Sequence, residues 1–264
     1  MKTKLAKTWE RKSVKRLFFL IVIVAVWWTV YSFKFFNPIL FPGPGQIFHA
    51  LVKESLNGSL FVKAGNSLYM IFVGLGISVI FAFILMVFAV VNKTIHELAS
   101  TLIALLDPLP GLALLPLAIL WFGIGRYAML FVMVHSIVWP VLLSIIKGFD
   151  TVPLIYREVG MGIGLSKYRM VLGIYTPAAF PSILQGVKTG WSRAWRALIG
   201  AEMVFGAMGN SAGLGYDIYM KRSFMDMPGM FASLIFIMII GILMEDLFFS
   251  KMEKATIVKW GMVQ

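Results

Sequence analysis

The chain has 264 residues, of which 59% are hydrophobic and 14% charged, with a mean hydropathy of +0.86. Soluble domains run about 45–50% apolar and about 25% charged, and disordered chains are poorer still in apolar residues, so both classes are excluded and an integral membrane protein is expected. There is no cysteine, which removes disulfides, thiolate metal sites and Cys nucleophiles. The net charge of +12 would suggest nucleic acid in a soluble protein. In a membrane chain it is the Lys/Arg surplus of inside loops, and no nucleic-acid partner is expected.

Residues 1–16 are rich in Lys and Arg and precede an apolar run from Leu17 to about Phe33. A charged leader before an apolar core resembles a secretory signal. The run gives way, however, to Lys34-Phe35-Phe36-Asn37-Pro38 rather than to a small-residue cleavage site, so an uncleaved first transmembrane helix is expected. Pro42-Gly43-Pro44-Gly45 then reads as a turn. Ile47, Leu51, Val52 and Leu56 at helical spacing predict a short amphipathic helix lying on the membrane. Further runs of bilayer length lie at about 67–91, 98–122, 127–146 and 230–249, the run at 98–122 being interrupted by Asp107 with Pro108 and Pro110. A weaker run at about 181–205 carries Lys188, Arg193, Arg196 and Glu202. It is counted as a span because helices lining a polar path tolerate such residues.

Six transmembrane helices in an all-α polytopic protein are the expectation. If the N-terminus is inside, most Lys and Arg fall in the inner loops and the tail, so both termini are predicted to be cytoplasmic. The expected division is a basic N-terminal segment at 1–16, one transmembrane domain at 17–250 and a cytoplasmic tail at 251–264.

The most informative stretch is the inner loop at about 150–180. Asp150 or Thr151 with Pro153 predicts a helix start, and a short helix to about Ile163 would end on Gly164. Ser166 would cap a second helix through Tyr175, stopped by Pro177 and Pro181. A helix, a glycine break and a second helix make a knob projecting into the cytosol.

Here the chain resembles the permease subunits of ABC importers. Glu158, Gly164 six residues later, Ile174 ten beyond that and Pro177 follow the family's cytoplasmic loop signature. Val159-Gly160 replaces Ala-Ala, and Thr176 replaces Leu. The segments Asp107-Pro108-Leu109-Pro110, Gly164-Leu165-Ser166, Pro181-Ser182-Ile183-Leu184-Gln185-Gly186 and Ala201-Glu202-Met203, followed by Gly213-Leu214-Gly215-Tyr216, look like the nitrate/sulfonate/taurine branch.

The resemblance implies the type I ABC importer permease fold, in a multi-pass protein of the bacterial inner membrane. It implies a pair of permeases (a homodimer, or this chain with a related second permease), two ATPase subunits at the cytoplasmic face and an external solute-binding protein. Glu158, Gly160, Gly164, Leu165, Ser166 and Pro177 would form the ATPase-coupling loop, with Gly160, Gly162 and Gly164 allowing close approach. No Gly-Lys dipeptide occurs, so the P-loop route to ATP hydrolysis is closed to this chain. ATP and Mg would be bound by the partner ATPase, with no cofactor in this chain.

Asp107, Arg193, Trp195, Arg196 and Glu202 are the candidates for the translocation path. A cation inside the bilayer needs a partner or water, and two readings stay open for the arginines. They give the path a field suited to a small anion, or they pair with Glu202, Asp107 or an acid of a partner chain. Lys188 is expected to snorkel, and His135 to be a satisfied interior histidine. Trp191 and Trp195 share a helical face, bordering either a solute path or a neighbouring helix. Gly186 and Gly190 permit close helix packing without naming the partner.

Import of a small anion such as a sulfonate, taurine, nitrate or bicarbonate by alternating access is the leading expectation. Import of a thiamine-precursor pyrimidine by the same machinery is the alternative. A self-contained secondary transporter would favour inverted repeats, and none is visible. A membrane-embedded enzyme would favour clustered His and acids, and the three His here are scattered.

Overall fold

The computed structural model describes residues 12–205, 212–259 and 261. Among these residues every regular element is helical. Most of the basic N-terminal segment, and residues 260 and 262–264 of the tail, lie outside the described residues.

The backbone divides into two units, one running to Phe61 and taking in Ile218–Phe236, the other comprising Val62–Asp217 and Ile237 onward. In the first unit, α1 (Lys12–Ser32) leads through an Asn37-centred turn to α2 (Pro44–Leu56). The Pro-Gly-Pro-Gly segment turns as expected. Trp27 Nε1 donates to the Pro42 carbonyl at 3.0 Å, and its ring stacks on Phe41. Gln46 Oε1 accepts from Gly43 N–H, tying down the start of α2. Its apolar face is divided: Ile47 is buried, whereas Leu56 is exposed.

The helix α3 (Ser59–Val91) starts eight residues before the predicted second span, since no breaker interrupts the chain there. Its early charge, Lys63, is paired with Asp217. The third span is not one helix. The helix α4 (Lys93–Leu106), capped by Asn92, meets a 3₁₀ turn (Gly111–Leu114) and α5 (Leu115–Phe122) at an angle of 89°. Pro108 and Pro110 withdraw two backbone donors at this break and cannot continue the helix.

The helices α6 (Arg126–Asp150) and α10 (Phe180–Phe205) pack along their length. Here the partner of Gly186 and Gly190 is found. A Cβ on Gly186 would lie 2.6 Å from Ser144 Cβ, and one on Gly190 would lie 2.8 Å from Ile137 Cγ2. Lipid tails supply no hydrophobic drive between helices, so small residues that let backbones approach are what hold such a pair.

After α11 (Leu214–Ser223), the last span begins with α12 (Met227–Leu243) and continues through π turns and α13 (Ser250–Glu253) to Val258. The expected limit at residue 250 therefore falls inside a continuous helical stretch. Among the described residues three helices are long and apolar enough to cross a membrane, or five if each bent pair is one span. The apolar part of the first expected span, Phe18–Ser32, is shorter.

Candidate functional site

The loop at 150–180 folds as α7 (Leu154–Gly162), α8 (Lys167–Met170), a π turn (Val171–Tyr175) and α9 (Thr176–Ala178). The predicted start shifts: Asp150 ends α6, and Thr151 caps it, its Oγ1 donating to Gly148 O. Pro153 is the residue before α7.

The predicted stop at Gly164 is realised in full. Gly164 has φ +76, its N–H donates to Met161 O, and Leu165 N–H donates to Gly160 O. This pair of bonds is the Schellman closure, which needs a left-handed residue and therefore favours glycine. Ser166 Oγ then accepts from Arg169 N–H at the start of α8.

Pro177 does not end the second helix as expected. The wider π turn before it accommodates a residue with no N–H to offer, and Thr176 Oγ1 donates to Val171 O at 2.8 Å. The glycines also divide their roles. Gly160 is buried and faces the second helix, with a Cβ position 2.6 Å from Ile174 Cδ1. Gly162 is exposed, with open space beside it.

What the knob presents outward is apolar. Ile155, Val159 and Ile163, spaced four apart, are 58%, 54% and 70% exposed, and Glu158 is exposed beside them. Arg157, one of the cations of this loop, fastens the knob. Its Nη2 donates to Phe149 O at 3.0 Å, and its guanidinium lies 5.3 Å from the Tyr175 ring centroid.

The second region is the break between α4 and α5. Asp107, Pro108, Pro110, His135, Ser136, Arg193 and Arg196 line a cavity of about 330 Å³. Arg193 Nη1 donates to Asp107 Oδ1 at 2.5 Å and Nη2 to Oδ2 at 3.4 Å. Arg196 is exposed and has no ion-pair partner among the described residues. Trp139 Nε1 donates to His135 Nδ1 at 3.1 Å, which places the ring proton on Nε2, facing Leu109 O at 3.3 Å. His135 is thus satisfied as expected, yet it also lines the cavity, which its position in an apolar run could not reveal.

Trp195 and Glu202 lie away from this cavity. Trp195 is buried and stacks on Trp191. Glu202 is buried too, and its carboxylate accepts from Ser67 Oγ at 2.8 Å and Gly215 N–H at 2.8 Å. Leu214 N–H donates to the same Ser67 Oγ. A Cβ on Gly213 would collide with Glu202 Oε1, so the Glu and the later Gly-Leu-Gly form one fitted unit. Lys188 is held by Glu245 at 2.7 Å and Glu253 at 3.7 Å. Among the described residues no group of three or more His, Asp or Glu gathers that could hold a metal ion.

Comparison with known proteins gives a consistent result. Residues 74–257 match the family described as binding-protein-dependent transport system inner membrane component. The taurine transport system permease protein of Escherichia coli is 27% identical, over 86% of this chain and 82% of its own length. The formylaminopyrimidine transport permease of Halalkalibacterium halodurans is 28% identical, over 86% and 88%. The nitrate import permease of Synechocystis is 24% identical, over 92% and 90%.

Proposed function

Because the chain belongs to the binding-protein-dependent transport system inner membrane components, we propose that it is the permease of an ATP-driven importer for a small anion, with the knob at 154–178 as the seat of a separate ATPase. The observation that carries this reading is the knob itself. A Schellman-closed helix, fastened by Arg157, holds an apolar face of Ile155, Val159 and Ile163 away from its own core. Exposed apolar surface rimmed by polar residues is what a protein partner covers. ATP and Mg would belong to that partner, with both termini of this chain on the same cytoplasmic side and the solute delivered from outside by a binding protein.

The anion reading rests on charge at the cavity. Asp107 neutralises Arg193, and Arg196 is left as the surplus cation. The nitrate and taurine relatives are named for solutes bearing an anionic group. The formylaminopyrimidine relative favours a second reading, a small organic solute moved by the same machinery.

The test is a pull-down of tagged chain from native membranes. Wild type should bring down an ATPase at equal stoichiometry, and both Gly164→Arg and the surface change Val159→Glu should lose it. A wild-type chain that purifies alone yet still transports in liposomes would refute the importer reading. For the solute, Arg196→Ala should cut anion uptake by about tenfold; unchanged uptake would leave the anion reading without support.

A further inference from the structure

A second cavity, of about 380 Å³, sits where two membrane helices end, α3 at Val91 and α6 at Asp150. One wall is apolar and consists of the last turn of α3, including Ala89, Val90 and Val91. The other is basic: Lys93 opens α4, Arg157 comes from the knob, and Lys167 opens α8. Asp150 is the opposing charge on the rim, and His96 adds an imidazole.

Lys93 is 90% exposed and makes a 3.8 Å contact with Glu97, an open surface pairing worth little. Lys167 is exposed and has no ion-pair partner among the described residues. Arg157 is anchored through Nη2 and the Tyr175 ring, yet its Nε is buried without a hydrogen-bond partner.

Three cations against one carboxylate, beside an apolar wall at a helix end, match the chemistry of one ligand. We propose that this cavity binds the phosphodiester of an anionic phospholipid, its acyl chain lying against the end of α3 and its headgroup against Lys93, Lys167 and Arg157. Basic pockets between membrane helices at the headgroup level are suited to such lipids. The bound lipid bridges the end of a membrane helix to the knob, so the composition of the bilayer bears on how firmly the knob is held. The inference depends on the chain being membrane-embedded, and not on which solute it carries or whether an ATPase binds the knob.

The experiment titrates lipid onto the purified full-length chain in detergent, using phosphatidylglycerol as the anionic probe and phosphatidylcholine as the zwitterionic one. In wild type the anionic lipid should bind more tightly, and its affinity should fall as salt rises. The K93Q/K167Q variant should bind phosphatidylglycerol roughly twenty-fivefold more weakly, about fivefold for each lysine, with phosphatidylcholine unchanged. Both positions are exposed, so folding should be unaffected, and the salt dependence tests the proposal on wild type alone. The charge-matched control K251Q/K259Q should bind like wild type. Equal loss in that control, equal phosphatidylglycerol affinity in K93Q/K167Q, or displacement of the lipid by inorganic phosphate but not by chloride at the same ionic strength would each overturn the proposal. The pull-down above reads ATPase binding and the titration reads lipid, so each can fail without the other.

Discussion

Among the described residues two apolar helix pairs are sharply bent, one by 89° between α4 and α5 and one by 73° between α9 and α10. Both carry two prolines at or beside the turn: Pro108 and Pro110 in one, Pro177 and Pro181 in the other. By local chemistry they are alike, yet they serve different ends. At the 73° bend the chain is filled in. Ala179 is 2% exposed and lies against Gly148 of α6, where a Cβ would stand 2.9 Å from Ala179 Cβ and 2.8 Å from Ser182 Cβ. At the 89° bend Asp107, Pro108 and Leu109 border open space, together with Arg193 and Arg196. Proline thus decides where the backbone turns, and the residue facing the turn decides whether the result is a packed elbow or a cavity.

The largest effect should come from closing the gap that the elbow needs. Gly148→Val places a branched side chain where less than 3 Å separates the Cβ position from two neighbours, and overpacking of this kind costs about 1–3 kcal/mol. Thermal unfolding in detergent should show a clearly lower midpoint. Leu109→Ala, at the other bend and 43% exposed, should leave the midpoint within the error of the measurement. Equal losses at the two sites would mean that the second bend is packed as tightly as the first, and the contrast would fail.

How far the sequence exposed this contrast depends on the range of the interactions. The 89° break, the Gly164 stop and the Ser166 start were legible because they rest on φ preferences and missing donors within a few residues. The passage of helix through Pro177 was not, since it depends on a π turn that gives no compositional sign. Nor could spacing assign the acids. Asp107 and Glu202 were equal candidates to hold an arginine, but Arg193 is 86 residues from Asp107 in the chain, and Glu202 is taken by Ser67, 135 residues away. Small residues at 186 and 190 announced a close helix contact, and only the fold names α6 as its other side.

At the open bend the expected pattern reverses: modest stability change with a functional loss. Arg193 and Asp107 are 37% and 21% exposed, and pairs open to solvent contribute about 0.2–1 kcal/mol. A double-mutant cycle of Asp107→Asn and Arg193→Gln, read by thermal unfolding, should give a coupling energy of about that size. Each single change leaves an uncompensated group beside Arg196 in a membrane cavity, or removes one cation from it. Uptake in liposomes should therefore fall by more than stability does. A large coupling energy with normal uptake would make this bend a structural clamp like the other.

The smallest effect should be at the elbow's own hydroxyl. Thr176 Oγ1 donates to Val171 O, but that carbonyl also accepts Thr176 N–H. Thr176→Val therefore removes one donor without orphaning an acceptor, and a net hydrogen bond of this kind is worth about 0.5–1.5 kcal/mol. With the carbonyl still satisfied, the cost should sit at the low end, a small drop in the unfolding midpoint with ATPase co-purification retained. If Thr176→Val instead released the ATPase, the hydroxyl would be holding the π turn in place. The geometry of the knob would then rest on that single bond rather than on Arg157 and the Schellman closure at Gly164.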